Sequence, residues 1–319
     1  MDSAQKTETH DLVMIGAGPA ALAAAIYTTR EDIDTVLYER GVVGGLAAIT
    51  DQIDNYPGFS KGVTGLEFAE ELRLQAVRFG ADIRLGEVQA IVDEGPLKRL
   101  TTTDGVIYAK AVLIATGSDY KKLGIPGEAE YFGKGVHYCA TCDGAFYRDK
   151  RLVVIGGGNS AVQESLFLTR YASHIDLLVR NKITASDVLI KELERHPKIT
   201  IHLGVTTDSI VAENNKVTKV LGKEAGQQQE YPTDGVFVFV GLKPNTGFLH
   251  ATPQIQLDDY GFVKTDINLQ TSMPGVFAAG DVRSGANMQI ASAAGEGATS
   301  ALMLRRYLEQ HASSDQGSL

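Results

Sequence analysis

Apolar residues in this chain fall in short runs that end on glycine, and these runs alternate with stretches of helical period. The clearest case is Asp11–Arg40, DLVMIGAGPAALAAAIYTTREDIDTVLYER. A strand-like run leads into a Gly-rich turn, a helix-like stretch and a second apolar run. Lys150–Arg180, KRLVVIGGGNSAVQESLFLTRYASHIDLLVR, repeats the same order. Each segment therefore reads as a β-α-β unit, and two such units predict two nucleotide-binding domains in an α/β fold with three layers.

The rest of the pattern fills in around these units. Gly41–Gly65 is loop-like, Leu66–Phe79 has helical period, and short strand-like runs alternate with turns up to Lys110. Ala111–Ala115 is a further apolar strand ending in Thr116-Gly117. After the second unit the pattern predicts a helix over Ala185–Arg195, strands over Thr200–Val205 and Val236–Val240, and a crossing back to the first domain in Gly241–Gly247. Phe277–Asp281 reads as a strand with a turn, Ala291–Leu308 as a helix, and Ala312–Leu319 as a disordered tail.

Composition narrows the function. The chain has 319 residues, enough for two cores, and its 34 glycines cluster at turns after apolar runs, as phosphate-binding loops require. The net charge of -9 comes with no basic patch, which argues against a nucleic-acid partner. No apolar run reaches the ~18 to 20 residues that span a bilayer. The first ten residues lack the apolar core of a secretory signal, so a cytoplasmic location is expected.

The first Gly-rich turn, Gly16-Ala17-Gly18-Pro19-Ala20-Ala21, fits G-x-G-x-x-A. Its first glycine permits the tight turn, Gly18 lets a pyrophosphate approach the backbone, and Ala21 allows close helix–strand packing. Glu39 ends the next strand, where a carboxylate accepts a bond from a ribose 2′-OH. Late in the chain, the Asp281 carboxylate after Gly280 suits a ribityl hydroxyl, although a turn with an Asx cap would use the same residues. The second turn, Gly156-Gly157-Gly158-Asn159-Ser160-Ala161, fits the same pattern but is followed by Val179 where the acid would stand. Arg180 and Lys182 come next, which favours a 2′-phosphate and hence NADPH; a duplicated fold with a degraded second site would also keep such a turn.

The two cysteines, Cys139 and Cys142, are separated by two residues. That spacing lets a disulfide open and close with little backbone motion. It suits a redox pair, and Asp143 stands beside it to exchange a proton with a thiolate. A structural metal site would need further ligands, and no His is placed to supply them. His137 has no neighbour at catalytic spacing and reads as a loop residue, while Gly144 reads as a turn residue.

Gly16–Ala21, Asn55-Tyr56-Pro57-Gly58, Ala115-Thr116-Gly117, Cys139-Ala140-Thr141-Cys142-Asp143-Gly144, Gly156–Ala161, Ala279-Gly280-Asp281 and Gln289-Ile290-Ala291 stand in the order seen in low-molecular-weight thioredoxin reductases. The chain resembles that family from about Asp11 to Arg306. The resemblance implies a discontinuous FAD domain, residues 1–118 and 246–319, with an NAD(P)H domain inserted as residues 119–245. It implies a homodimer in which NADPH reduces FAD, FAD reduces the disulfide, and the dithiol reduces thioredoxin. Cys142 would face the flavin, Cys139 would attack thioredoxin, and Asp143 would be the acid/base. FAD would lie against Gly16, Gly18, Pro19, Ala20, Glu39, Arg40, Gly45, Leu46, Asn55, Ala115, Thr116, Gly117, Gly280, Asp281, Gln289 and Ile290. NADPH would lie against Gly156, Gly158, Asn159, Ser160, Ala161, Arg180 and Lys182.

Two positions depart from the family. Where it has His-Arg-Arg and a further Arg, this chain has Val179-Arg180-Asn181-Lys182, so only Arg180 matches. Losing one bidentate phosphate contact costs about 1.5 to 3 kcal/mol. The family's Gly-Gly-Gln-Leu is Gly44-Gly45-Leu46-Ala47 here. Three readings thus compete with an NADPH-driven reductase. One is a reductase driven by NADH, ferredoxin or reduced flavin. The second is an FAD dithiol oxidase, and the third a redox sensor without turnover.

Overall fold

The computed structural model describes residues 8–50 and 52–315. The chain separates into two compact units, residues 1–119 with 243–319, and residues 120–242. Both carry the parallel sheet expected from the paired β-α-β patterns.

In the first unit the strand Glu8–Ile15 lies between Thr35–Glu39 and Gly105–Ile114, parallel to both. Asp82–Leu85 extends the parallel sheet beyond Thr35–Glu39. Gly105–Ile114 is longer than the apolar run Ala111–Ala115 suggested, because besides Glu8–Ile15 it serves two further partners on its other side. Its first half pairs antiparallel with Leu97–Thr102, and its end pairs parallel with Val276–Ala278. The strand thereby ties the C-terminal segment into the N-terminal sheet.

The helix Pro19–Thr29 follows the first Gly-rich turn with Pro at its start, where the missing N–H costs nothing. Ala20, Ala21, Ala23, Ala24 and Ala25 are all buried, so the helix can lie close to its neighbours. Gly65–Arg78 begins with a capping box between Thr64 and Glu67. The stretch before it, expected to be loop, holds a short helix, Gly45–Ala48, and a small ribbon of Gln52–Ile53 with Val63–Thr64. The last helix runs Ile290–Asp315, past the expected end at Leu308. Arg305–Glu309 pairing and the His311 ring, stacked 4.0 Å from Tyr307, support its last turns up to residue 311, and the helix goes on through residues 312–315, where a disordered tail was expected. Residues 316–319 of that tail lie outside the described residues.

The second unit repeats the plan. Five parallel strands lie in the order Val136–His137, Gly235–Val238, Arg151–Ile155, His174–Val179, Ile199–Leu203. An antiparallel sheet of Val205–Glu213, Lys216–Glu224 and Gln227–Pro232 is added to it. Among the described residues, no helix is long and apolar enough to cross a membrane.

Candidate active site

Cys139 follows the edge strand Val136–His137, and the chain then turns into the single helical turn Ala140–Asp143. Cys139 caps that turn, its Sγ accepting the Cys142 N–H at 3.1 Å. The cap brings the Cα atoms to 5.3 Å, and the two sulfurs are joined as a disulfide. The approach to Cys139 is fixed by Glu128, a buried carboxylate. It accepts the Tyr138 hydroxyl at 2.7 Å and the N–H groups of Leu123 and Gly124. Burial, with Glu128 beside it, raises the Tyr138 hydroxyl pKa and keeps it a donor.

Asp143 closes the turn, and His137 Nδ1 stands 3.2 Å from its carboxylate. His137 is no loop residue: it lies on the edge strand and is 6% exposed. Its Nε2 is 2.7 Å from the Tyr147 hydroxyl. Gly144 is no turn residue either. Its backbone is helical, and a Cβ there would press to 2.8 Å from Leu168, so the glycine serves close packing.

The first Gly-rich turn leaves its backbone bare. Gly16 has φ +100°, and a Cβ would stand 2.5 Å from the Ala115 carbonyl, while nothing lies within 4 Å of a Cβ at Gly18 or Gly117. Gly18 is therefore open to a pyrophosphate at the start of the Pro19 helix. Glu39 accepts the N–H groups of Ala17 at 2.7 Å and Gly41 at 2.8 Å, which aims it across the turn. Glu39, Arg40, Gly16 and Thr116 line one small pocket with Asn245 and Phe248. Asn245 was not singled out in the sequence. It accepts from Arg40 at 3.0 Å and exchanges two bonds with Thr116, at 2.8 and 3.0 Å.

Asn55 and Gln289, 234 residues apart, meet at 3.2 Å. Gly45 begins the short helix and Leu46 is exposed beside it. Gln289 leads into Ile290, where the last helix starts. Gly280 has φ +76° and donates to Glu296 at 2.8 Å. Asp281 is pushed up to about 6 by burial and then by Glu296. Such a carboxylate is suited to a ligand hydroxyl that would satisfy it. These features fit a flavin dinucleotide.

In the second unit, Gly156 packs against the Phe239 carbonyl, and Gly158, Asn159, Ser160 and Ala161 open the helix that ends at Leu168. Arg180 and Lys182 are exposed just past the strand end at Val179, as a phosphate partner must be. Thr184 N–H donates to Gly157 O at 2.7 Å and Ser186 N–H to Asn159 Oδ1 at 2.9 Å, which ties this segment to the turn. The arrangement fits a second dinucleotide.

The chain matches the family described as pyridine nucleotide-disulphide oxidoreductase over residues 10–297. It is 39% identical to a thioredoxin reductase of Listeria monocytogenes over 311 residues, covering 96% of each chain. The structure of thioredoxin reductase from Streptococcus pyogenes superposes with a TM-score of 0.90 at 36% identity, covering 96% of this chain and all of that one. An atypical thioredoxin reductase from Desulfovibrio vulgaris Hildenborough is also similar, at 33% identity and TM-score 0.52 over 94% of this chain and 98% of its own. The chain thus belongs to the pyridine nucleotide-disulphide oxidoreductases and, within them, to the thioredoxin reductases, flavoenzymes that use FAD and NADPH.

Proposed function

We propose that this protein reduces the disulfide of thioredoxin, acting in the cytoplasm as a homodimer. The observation that carries the reading is the Cys139–Cys142 disulfide in its capped turn beside Asp143, in the unit that also holds the second G-x-G-x-x-A turn. FAD, charged by NADPH, would supply an electron pair to the disulfide. Cys142 takes the pair, the S–S bond opens and Cys139 leaves as a thiolate. The Cys142 N–H already points at Cys139 Sγ and stabilises that charge. Cys139 then attacks thioredoxin, Cys142 resolves the mixed disulfide, and Asp143 moves the proton.

FAD would lie along Gly16–Ala20, Glu39 and Asn55, with Asp281 holding a ribityl hydroxyl. NADPH would lie along Gly156–Ala161, with its 2′-phosphate met by Arg180 and Lys182. The reading is tested by anaerobic titration with NADPH and NADH, followed by turnover with oxidised thioredoxin. NADPH should bleach the flavin, and thioredoxin should then be reduced. A flavin that NADPH leaves oxidised, but reduced ferredoxin bleaches, transfers the donor role and keeps the reductase. Oxygen uptake with a small dithiol, and no thioredoxin reduction from any donor, would make it an oxidase.

A further inference from the structure

We propose that His137 is a positioning residue for the dithiol chemistry, sharing the exchanging proton with Asp143 and linking it through Tyr147 to solvent. The inference rests on the reading of Asp143 as the proton partner of the cysteines. Asp143 is only partly exposed, so a proton it takes from a thiol needs a way out. His137 supplies one, with Nδ1 3.2 Å from Asp143 and Nε2 2.7 Å from the Tyr147 hydroxyl.

The imidazole is built into this place. Its ring packs 5.2 Å from Phe237 and edge-on to Tyr147 at 5.3 Å. Tyr147 packs against Gly235, where a Cβ would stand 2.3 Å from the ring. Beyond it, Tyr147 lines a surface pocket of about 260 Å³ with Lys134, Lys150, Lys216 and Asp234. On the other side of the His137–Tyr147 pair the charged neighbour is the Asp143 carboxylate at His137 Nδ1. Burial, then Asp143 and Asp234, raise the Tyr147 hydroxyl pKa. Tyr147 therefore stays protonated and hands on a proton only as it receives one.

In resolving the mixed disulfide, Cys142 Sγ attacks Cys139 Sγ. The Cys139–substrate S–S bond breaks, the Cys139–Cys142 bond forms, and the substrate sulfur leaves with the electron pair and takes a proton from water. The Cys142 proton passes to Asp143 and on to His137 Nδ1. The Nε2 proton moves to Tyr147, and the Tyr147 proton to water in the pocket. The reverse sequence returns a proton when the enzyme disulfide is reduced.

The test uses FAD-loaded H137Q and Y147F. Glutamine keeps a donor and an acceptor but cannot carry a proton from one nitrogen to another. Two readouts are taken: kcat against pH with thioredoxin, and the pH dependence of iodoacetamide alkylation of the phosphine-reduced, desalted protein. H137Q should lower kcat about 10- to 100-fold and displace both profiles, with flavin absorbance and near-UV circular dichroism unchanged. Y147F should act in the same direction, and it decides the matter if H137Q does not fold. In D143N, adding H137Q should lower kcat no further. Wild-type kcat and both profiles intact in H137Q would overturn the inference while leaving the reductase reading in place. A wild-type enzyme that reduces no thioredoxin from any donor would overturn that reading instead, and the alkylation profile alone would then judge the His137–Asp143 coupling.

Discussion

A Cβ at Gly297 would stand 2.1 Å from the Ala20 carbonyl oxygen, so the last helix of the first unit rests directly on the backbone of the first helix. The obstacle is backbone, which cannot swing aside as a side chain can. G297A should therefore lower stability by about 1 to 3 kcal/mol. In the proposed reading FAD lies along Gly16–Ala20, so FAD content should fall with it. Thermal unfolding and flavin absorbance of the purified protein check both outcomes.

Asp281 gives a pH signature. Its folded pKa of about 6 exceeds the ordinary 3.8. A raised acid binds more protons folded than unfolded between those values, so stability is greatest at the low end and falls as pH rises from about 4 to about 6. The full difference is about 3 kcal/mol. In flavin-free protein, D281N should flatten this part of the stability curve. FAD should bind D281N about 10-fold more weakly, since a charged acceptor is lost from a buried site. Chemical denaturation across pH 4 to 6, and flavin titration, measure the two effects.

The cysteines are predicted to differ in role. C142S leaves Cys139 to attack thioredoxin with nothing to resolve the product, so a stable mixed disulfide should accumulate. C139S should trap none. Non-reducing electrophoresis after mixing each reduced variant with oxidised thioredoxin distinguishes them, and equal trapping by both would remove the assignment.

Arg180 and Lys182 carry the second nucleotide's phosphate in this reading. R180A/K182A should raise the KM for NADPH about 10- to 100-fold and leave that for NADH unchanged. Steady-state kinetics with both nucleotides decide it. Parallel losses with both would place these side chains away from the 2′-phosphate.

Local chemistry was legible in the chain itself. A glycine-rich turn between an apolar run and a helix is a matter of neighbouring residues, so both β-α-β units could be read directly. The Cys139–Cys142 spacing likewise implies its own geometry, and the structure closes it at 5.3 Å between Cα atoms. The paired units also sufficed to predict the fold class. What the sequence could not supply were meetings that depend on which strands become neighbours. Asn245 reaches Arg40 and Thr116 across 205 and 129 residues. Gly297 earns its place only because Ala20 lies opposite. His137 looked idle because its partners sit six and ten residues away with no fixed period. It is the helical turn at Cys139 and the seat for Tyr147 on Gly235 that fold them onto its two nitrogens. The sequence thus determined which two sulfurs pair, and the packing of strands and glycines decided which groups surround them. The reason is physical: turn geometry is set within a few residues, while the direction of a side chain is set by what packs against it.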